Sequence, residues 1–96
     1  MFEVRSTAEF DKWIYRLADD TGRAKIYARI QRIAEGNPGD TRPVGEGVSE
    51  MRINFGPGYR VYYKQIGRVV FILLCGGDKS TQEADIKRAK KLAATL

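Results

Sequence analysis

The stretch Ser49-Glu50-Met51-Arg52-Ile53-Asn54-Phe55-Gly56-Pro57-Gly58-Tyr59-Arg60-Val61-Tyr62-Tyr63-Lys64 decides how the chain is read. On either side of Gly-Pro-Gly, apolar and polar residues alternate. Met51, Ile53 and Phe55 interleave with Glu50, Arg52 and Asn54, and Tyr59, Val61 and Tyr63 with Arg60, Tyr62 and Lys64. This period of two predicts a pair of half-buried strands. The apolar sets share a face only if opposed residue numbers sum to an even value, which requires a connection of three or five residues around Gly56, Pro57 and Gly58. That register puts Arg52 and Arg60 on one face, where like charges gain nothing from each other unless an anion lies between them. The pair reads as the start of a phosphate site. Glu50, two residues before Arg52 on the same face, supports the opposing reading, in which it neutralises the pair and leaves an ordinary solvated sheet surface.

Downstream, Val69-Val70-Phe71-Ile72-Leu73-Leu74-Cys75 runs without a polar break and is expected to be a strand covered on both faces, in the middle of the sheet. Gly76 and Gly77 then permit a bend or a close approach of another backbone. Ser80-Thr81-Gln82-Glu83 has the form of a capping box for a C-terminal helix with a thin apolar stripe of Ile86, Ala89 and Ala93. Lys87, Arg88, Lys90 and Lys91 cover the rest of that helix and suit a solvated face near its C-terminus.

Upstream, residues 37–47 hold Pro38, Gly39, Pro43, Gly45 and Gly47 and read as a long loop bordering a binding groove. Before it lie two amphipathic helical patterns. Ser6-Thr7-Ala8-Glu9 forms a capping box for the first, whose buried stripe is Phe10, Trp13, Ile14 and Leu17, with Trp13 a core anchor. The Asp19-Asp20-Thr21-Gly22 break caps the second, which buries Ile26, Ile30, Ile33 and Ala34 and stops at Gly36. Its outer side carries a basic ridge of Arg23, Lys25, Arg29 and Arg32. Phe2 to Arg5 alternate as a short first strand. The expected fold is therefore α+β, a small antiparallel sheet with an N-terminal helical hairpin packed across it and a C-terminal helix, in a single domain over 1–96.

Composition narrows the chemistry. Seventeen Lys and Arg against 12 Asp and Glu give a net charge of +5, which favours an anionic partner. Histidine is absent and Cys75 is the one cysteine, so a His base, a His-assisted nucleophile, an internal disulfide and the usual zinc sites are excluded. Cys75 sits in the apolar run and is expected to be a buried structural thiol. No signal peptide or bilayer-spanning run is visible, and a cytoplasmic setting without a membrane role is expected. The glycines at 45 and 47 make no P-loop, since no Gly-Lys-Ser or Gly-Lys-Thr follows.

Four runs carry a resemblance: Glu-Gly-Asn-Pro-Gly-Asp at 35–40, Pro-Val-Gly-Glu-Gly-Val-Ser-Glu-Met-Arg-Ile at 43–53, Gly-Pro-Gly-Tyr-Arg-Val-Tyr-Tyr at 56–63 and Leu-Leu-Cys-Gly-Gly-Asp-Lys-Ser-Thr-Gln at 73–82. Together they resemble the addiction-module killer proteins, HigB-like toxins of the RelE/ParE superfamily. The resemblance implies the α+β fold above and a toxin neutralised by a cognate helix-turn-helix antitoxin. It also implies one of two activities, since the RelE and HigB branches cleave messenger RNA on the ribosome whereas the ParE branch poisons DNA gyrase. Arg60 and Arg52 match the family's strand arginines, and Lys79 falls near a basic residue that RelE-like toxins place at the end of the long strand. Those enzymes often add a C-terminal Tyr or His, and this chain has neither after Tyr63.

The implied reaction is metal-independent and cofactor-free, with an RNA 2′-OH attacking its own phosphate while Arg52 and Arg60 hold the charge that develops. The proton acceptor is Lys79 with a lowered pKa, Glu50 or a group of the ribosome. Candidate RNA contacts are Lys64 and Tyr62 on the second strand, with Arg29 and Arg32 of the ridge. The nuclease reading falls if the two guanidinium groups lie on opposite sides of the sheet or are both tied up in internal ion pairs, and the gyrase poison then moves ahead. A third reading is a non-catalytic module that binds nucleic acid or antitoxin.

Overall fold

The computed structural model describes residues 2–96. In chain order the elements are β1 (Glu3–Ser6), α1 (Ala8–Arg16), α2 (Asp20–Ala34), β2 (Thr41–Gly45), β3 (Val48–Ile53), β4 (Tyr59–Ile66), β5 (Val70–Gly77), a 3-10 turn (Lys79–Thr81) and α3 (Gln82–Ala94). The strands form one sheet in the order β1-β5-β4-β3-β2. Pairing is antiparallel from β2 to β5, while β1 runs parallel to β5 at the edge.

The expected register is the one adopted. Met51 opposes Val61, Ile53 opposes Tyr59 and Arg52 opposes Arg60, so opposed numbers sum to 112 and the connection spans the five residues 54–58. Odd-numbered residues of β3 and β4 join Phe10, Ile14, Ile26 and Ile33 in the larger core beneath α1 and α2. Val48 and Tyr62 turn to the opposite face and pack with Ala89 and Ala93 of α3, so helices lie on both sides of the sheet. The small residues of α3 let its backbone come close, and Ala89 and Ala93 are buried. β5 lies between β1 and β4 and is covered on both faces, as its unbroken apolar run predicts.

Three local expectations are corrected. Residues 37–47 are not a continuous loop, because β2 pairs with β3 there; Pro43 is tolerated on this edge strand, where it has one neighbour. The cap of α1 is Thr7, whose Oγ1 accepts from Phe10 N at 3.1 Å, while Ser6 still belongs to β1. Ahead of α3, Asp78 caps the 3-10 turn by accepting from Ser80 N at 2.8 Å, and Thr81 makes no capping bond. Asp19 does cap α2, accepting from Gly22 N at 2.9 Å.

Gly76 and Gly77 accommodate side chains rather than backbone. The Trp13 ring lies over Gly76, and the Asp85 carboxylate over Gly77, each in the space a Cβ would need. Trp13 is thereby a core anchor, edge-on to Tyr59 with ring centroids 6.4 Å apart. Cys75 is buried, and burial pushes its thiol up to about 12, the state of an inert structural cysteine.

Candidate functional site

Arg52, Arg60 and Gly77 are register partners on β3, β4 and β5, so they form one row across the sheet on the face that α3 packs against. α3 begins at Gln82 and runs away from this row, leaving the arginine end of the face at the margin of the helix. Lys79, two residues past Gly77, is exposed and belongs to the same end. Its backbone N–H donates to Pro57 O at 3.4 Å, and its Cβ lies 3.5 Å from where a Cβ on Gly58 would stand. The fold therefore gathers Arg52, Arg60 and Lys79 into one cationic corner.

Beside this row lies a fully buried carboxylate. Glu50 is 0 % exposed, with Oε1 accepting from Arg42 Nε at 2.9 Å and Oε2 accepting from Tyr62 OH at 3.0 Å and Gln82 Nε2 at 2.8 Å. Burial alone pushes this carboxyl up, but the bonds from Arg42, Gln82 and Tyr62 outweigh it and hold the group below its ordinary value. Glu50 is thus a fixed internal anion without the exposure a general base needs, and it drops out as the proton acceptor. Tyr62 is buried as well, and burial with the Glu50 bond holds its phenol protonated. It forms the floor of the site and has no free ring face for an RNA base, which corrects its assignment as a direct contact.

The two arginines differ in their surroundings. Arg52 forks onto Asp40, with Nη2 at 2.7 Å and Nε at 3.2 Å from Oδ1, and both partners are substantially exposed. Arg60 keeps 13 % of its side-chain surface, and its nearest carboxylate oxygen is Glu50 Oε2 at 3.9 Å, beyond hydrogen-bond reach. Its Nε is buried with no partner. The requirement of a shared face is met. The two are not both tied up in internal ion pairs: Arg52 is bound to a surface carboxylate, and Arg60 stands beside an internal one without a hydrogen bond to it.

The basic ridge of α2 is largely absorbed by the fold. Arg29 donates to Arg52 O at 2.6 Å, Pro38 O at 3.0 Å and Asp40 O at 3.2 Å, pinning the residues before β2 to the end of β3. Burial holds its guanidinium below the ordinary arginine value. Arg23 bonds the carbonyls that end α1 and the Asp20 carboxylate. Lys25 lies 5.0 Å from the Phe55 ring centre, and Arg32 remains exposed beside it on the α2 side of the sheet. Lys64 shares the face of Arg60 but stands four residues along β4, about 13 Å away at strand spacing. Lys64 and Arg32 are therefore not gathered with Arg52, Arg60 and Lys79, and Arg29 reaches the backbone of Arg52 but spends its Nη donors on carbonyls. Arg42 and Gln82, which sequence reasoning passed over, complete the buried network. Arg42 lay in the stretch read as loop, although its place opposite Glu50 follows once β2 pairs with β3.

Two helical layers around a five-stranded sheet, with a cationic corner where β3 and β4 meet the turn before α3, form a small α+β domain, and the family its sequence matches is of the RelE/ParE-like toxin type. The chain belongs to the phage-derived Gp49-like protein family (DUF891), which it matches over residues 12–96. It is 51% identical over 94 residues to an uncharacterized protein of Haemophilus influenzae, covering 98% of this chain and 95% of that one. Among the described residues, no helix is long and apolar enough to cross a membrane.

Proposed function

We propose that this chain is the toxin of a toxin-antitoxin module, of the HigB-like kind, and that it arrests translation by cutting messenger RNA on the ribosome. The observation that carries the reading is the Arg52–Arg60 pair, register partners on one face, of which Arg60 presents a guanidinium without a hydrogen-bonding acceptor. Two such forks suit the nonbridging oxygens of a phosphodiester, where charge grows as the bond pattern changes. In the reaction the 2′-oxygen bonds to phosphorus, its proton passes to an acceptor, and the bond to the 5′-oxygen breaks as that oxygen takes up a proton from a donor or from water. This leaves a 2′,3′-cyclic phosphate and a 5′-hydroxyl end. With Glu50 buried, the proton-transfer role falls to Lys79 or to a group supplied by the ribosome. A helix-turn-helix antitoxin encoded beside the toxin is the expected partner, in the cytoplasm.

A second reading has its own support. The Arg52–Asp40 fork occupies one of the two arginines, which weakens the case for catalysis and favours a ParE-like protein that poisons gyrase by contact and catalyses nothing. Controlled expression in a bacterial host separates the two. Rapid loss of protein synthesis with new transcript ends carrying cyclic phosphates is expected. DNA breaks with intact transcripts would transfer the assignment to gyrase, and undisturbed growth would leave only a binding module.

A further inference from the structure

The orphan Nε of Arg60 has a local cause. A carboxylate oxygen offers two lone-pair sites, and both on Glu50 Oε2 are filled, by Tyr62 OH at 3.0 Å and Gln82 Nε2 at 2.8 Å. The remaining oxygen, Oε1, takes Arg42 at 2.9 Å. Arg60 Nε, 3.9 Å from Oε2, is close enough to be attracted and too late to bond. A buried donor in that state is costly, and among the described residues the fold retains it at two guanidinium Nε atoms, those of Arg60 and Arg29. Were Oε2 open, a small swing of Arg60 would close the gap, satisfy Nε and draw the rest of the guanidinium inward from the surface.

We propose that Tyr62 and Gln82 are positioning residues that reserve Arg60 for a phosphate group by filling Glu50 Oε2. Glu50 supplies charge that keeps the guanidinium in place, and its two donors deny Arg60 the bond that would retire it. Arg60 keeps its place in the row with Arg52, and its guanidinium stays uncommitted to Glu50. This inference rests on the reading of that corner as a phosphate site, but it concerns how the site is kept open and not what is done there.

The test uses the full chain, inorganic phosphate as the probe and the Nε–Hε resonance of Arg60, assigned by its loss in Arg60→Lys. Gln82→Met and Tyr62→Phe keep volume and remove one donor each. In either variant the resonance is expected to move downfield without ligand, as Nε bonds Oε2, and phosphate affinity to fall about tenfold, the worth of a charge-assisted hydrogen bond. A purely structural role for the two residues would lower stability and leave both readouts unmoved. Unchanged resonance and affinity in both variants would overturn the proposal, as would a wild-type chain whose Arg60 ignores phosphate. If wild type binds phosphate, the variants lose it and no transcript is cut, the positioning role stands and the nuclease reading falls.

Discussion

Arg52 and Arg60 face each other across β3 and β4, and one is forked onto a surface carboxylate while the Nε of the other has no hydrogen-bond partner among the described residues. If both are phosphate clamps, Arg60→Ala and Arg52→Ala each lower RNA cleavage by about 100-fold or more. Growth arrest on expression is lost in both, while circular dichroism and antitoxin binding stay as in wild type. Full toxicity in both variants removes the proposed role.

Asp40 competes with any phosphate for Arg52, and the pair is exposed, so the competition is weak. Asp40→Asn is expected to raise affinity for a short RNA with a 2′-deoxy cut site by about two- to fivefold at low salt, an advantage that fades as salt is added. Fluorescence anisotropy reads this directly. Equal affinity at every salt concentration would place Arg52 outside the binding surface.

Glu50→Ala leaves Arg42, Tyr62 and Gln82 without their common acceptor in a buried setting, and is expected to destabilise the fold by about 3–5 kcal/mol in urea unfolding. The carboxyl is held below its unfolded value of 4.5 in the folded chain. Its contribution is therefore complete above that pH and is lost as pH falls through the folded value. Glu50→Gln should flatten this acid limb of the stability profile. An acid limb identical to wild type would show that other carboxylates set it.

Tyr59 OH donates to Asp19 Oδ2 at 2.6 Å, tying β4 to the cap of α2. The bond to Asp19, together with burial, pushes the phenol from 10.0 up to about 12, and the same bond lowers Asp19 from 3.8. The raised phenol stabilises the fold fully below pH 10 and loses this effect as pH rises toward 12. The lowered carboxyl stabilises it above pH 3.8 and loses the effect as pH falls through its folded value. Tyr59→Phe should narrow both differences. Absorbance at 295 nm should show one tyrosine fewer titrating late, and an unaltered titration curve would exclude the bond.

Much of this was legible in the chain. The alternation at Met51, Ile53, Tyr59 and Val61 is a local pattern, and local patterns carry register, so the facing of Arg52 and Arg60 could be read before any coordinates. β2 was hidden because Pro43, Gly45 and Gly47 are turn-forming types; an edge strand tolerates them, having one side to pair. The depth of Glu50 was also hidden. Charge at an even position reads as a wet face, and only the close approach of α3 through Ala89 and Ala93 seals it off, with Arg42 from β2 and Gln82 from α3 arriving from distant parts of the sequence. Arg29 misled for the same reason, because a basic helix position says nothing of the carbonyls at Pro38, Asp40 and Arg52 that it reaches.

The parallel pairing of β1 with β5 has a consequence for synthesis. Thr7, at the end of β1, bonds Leu74 O across 67 residues, so the first strand made must wait for nearly the last. At ordinary elongation rates the delay is roughly 3–13 s, during which β1 and the apolar faces of α1 and α2 lack their cover. Gln82, which guards Arg60, follows later still. A nascent chain that has not reached that point has no finished corner with which to grip a phosphate.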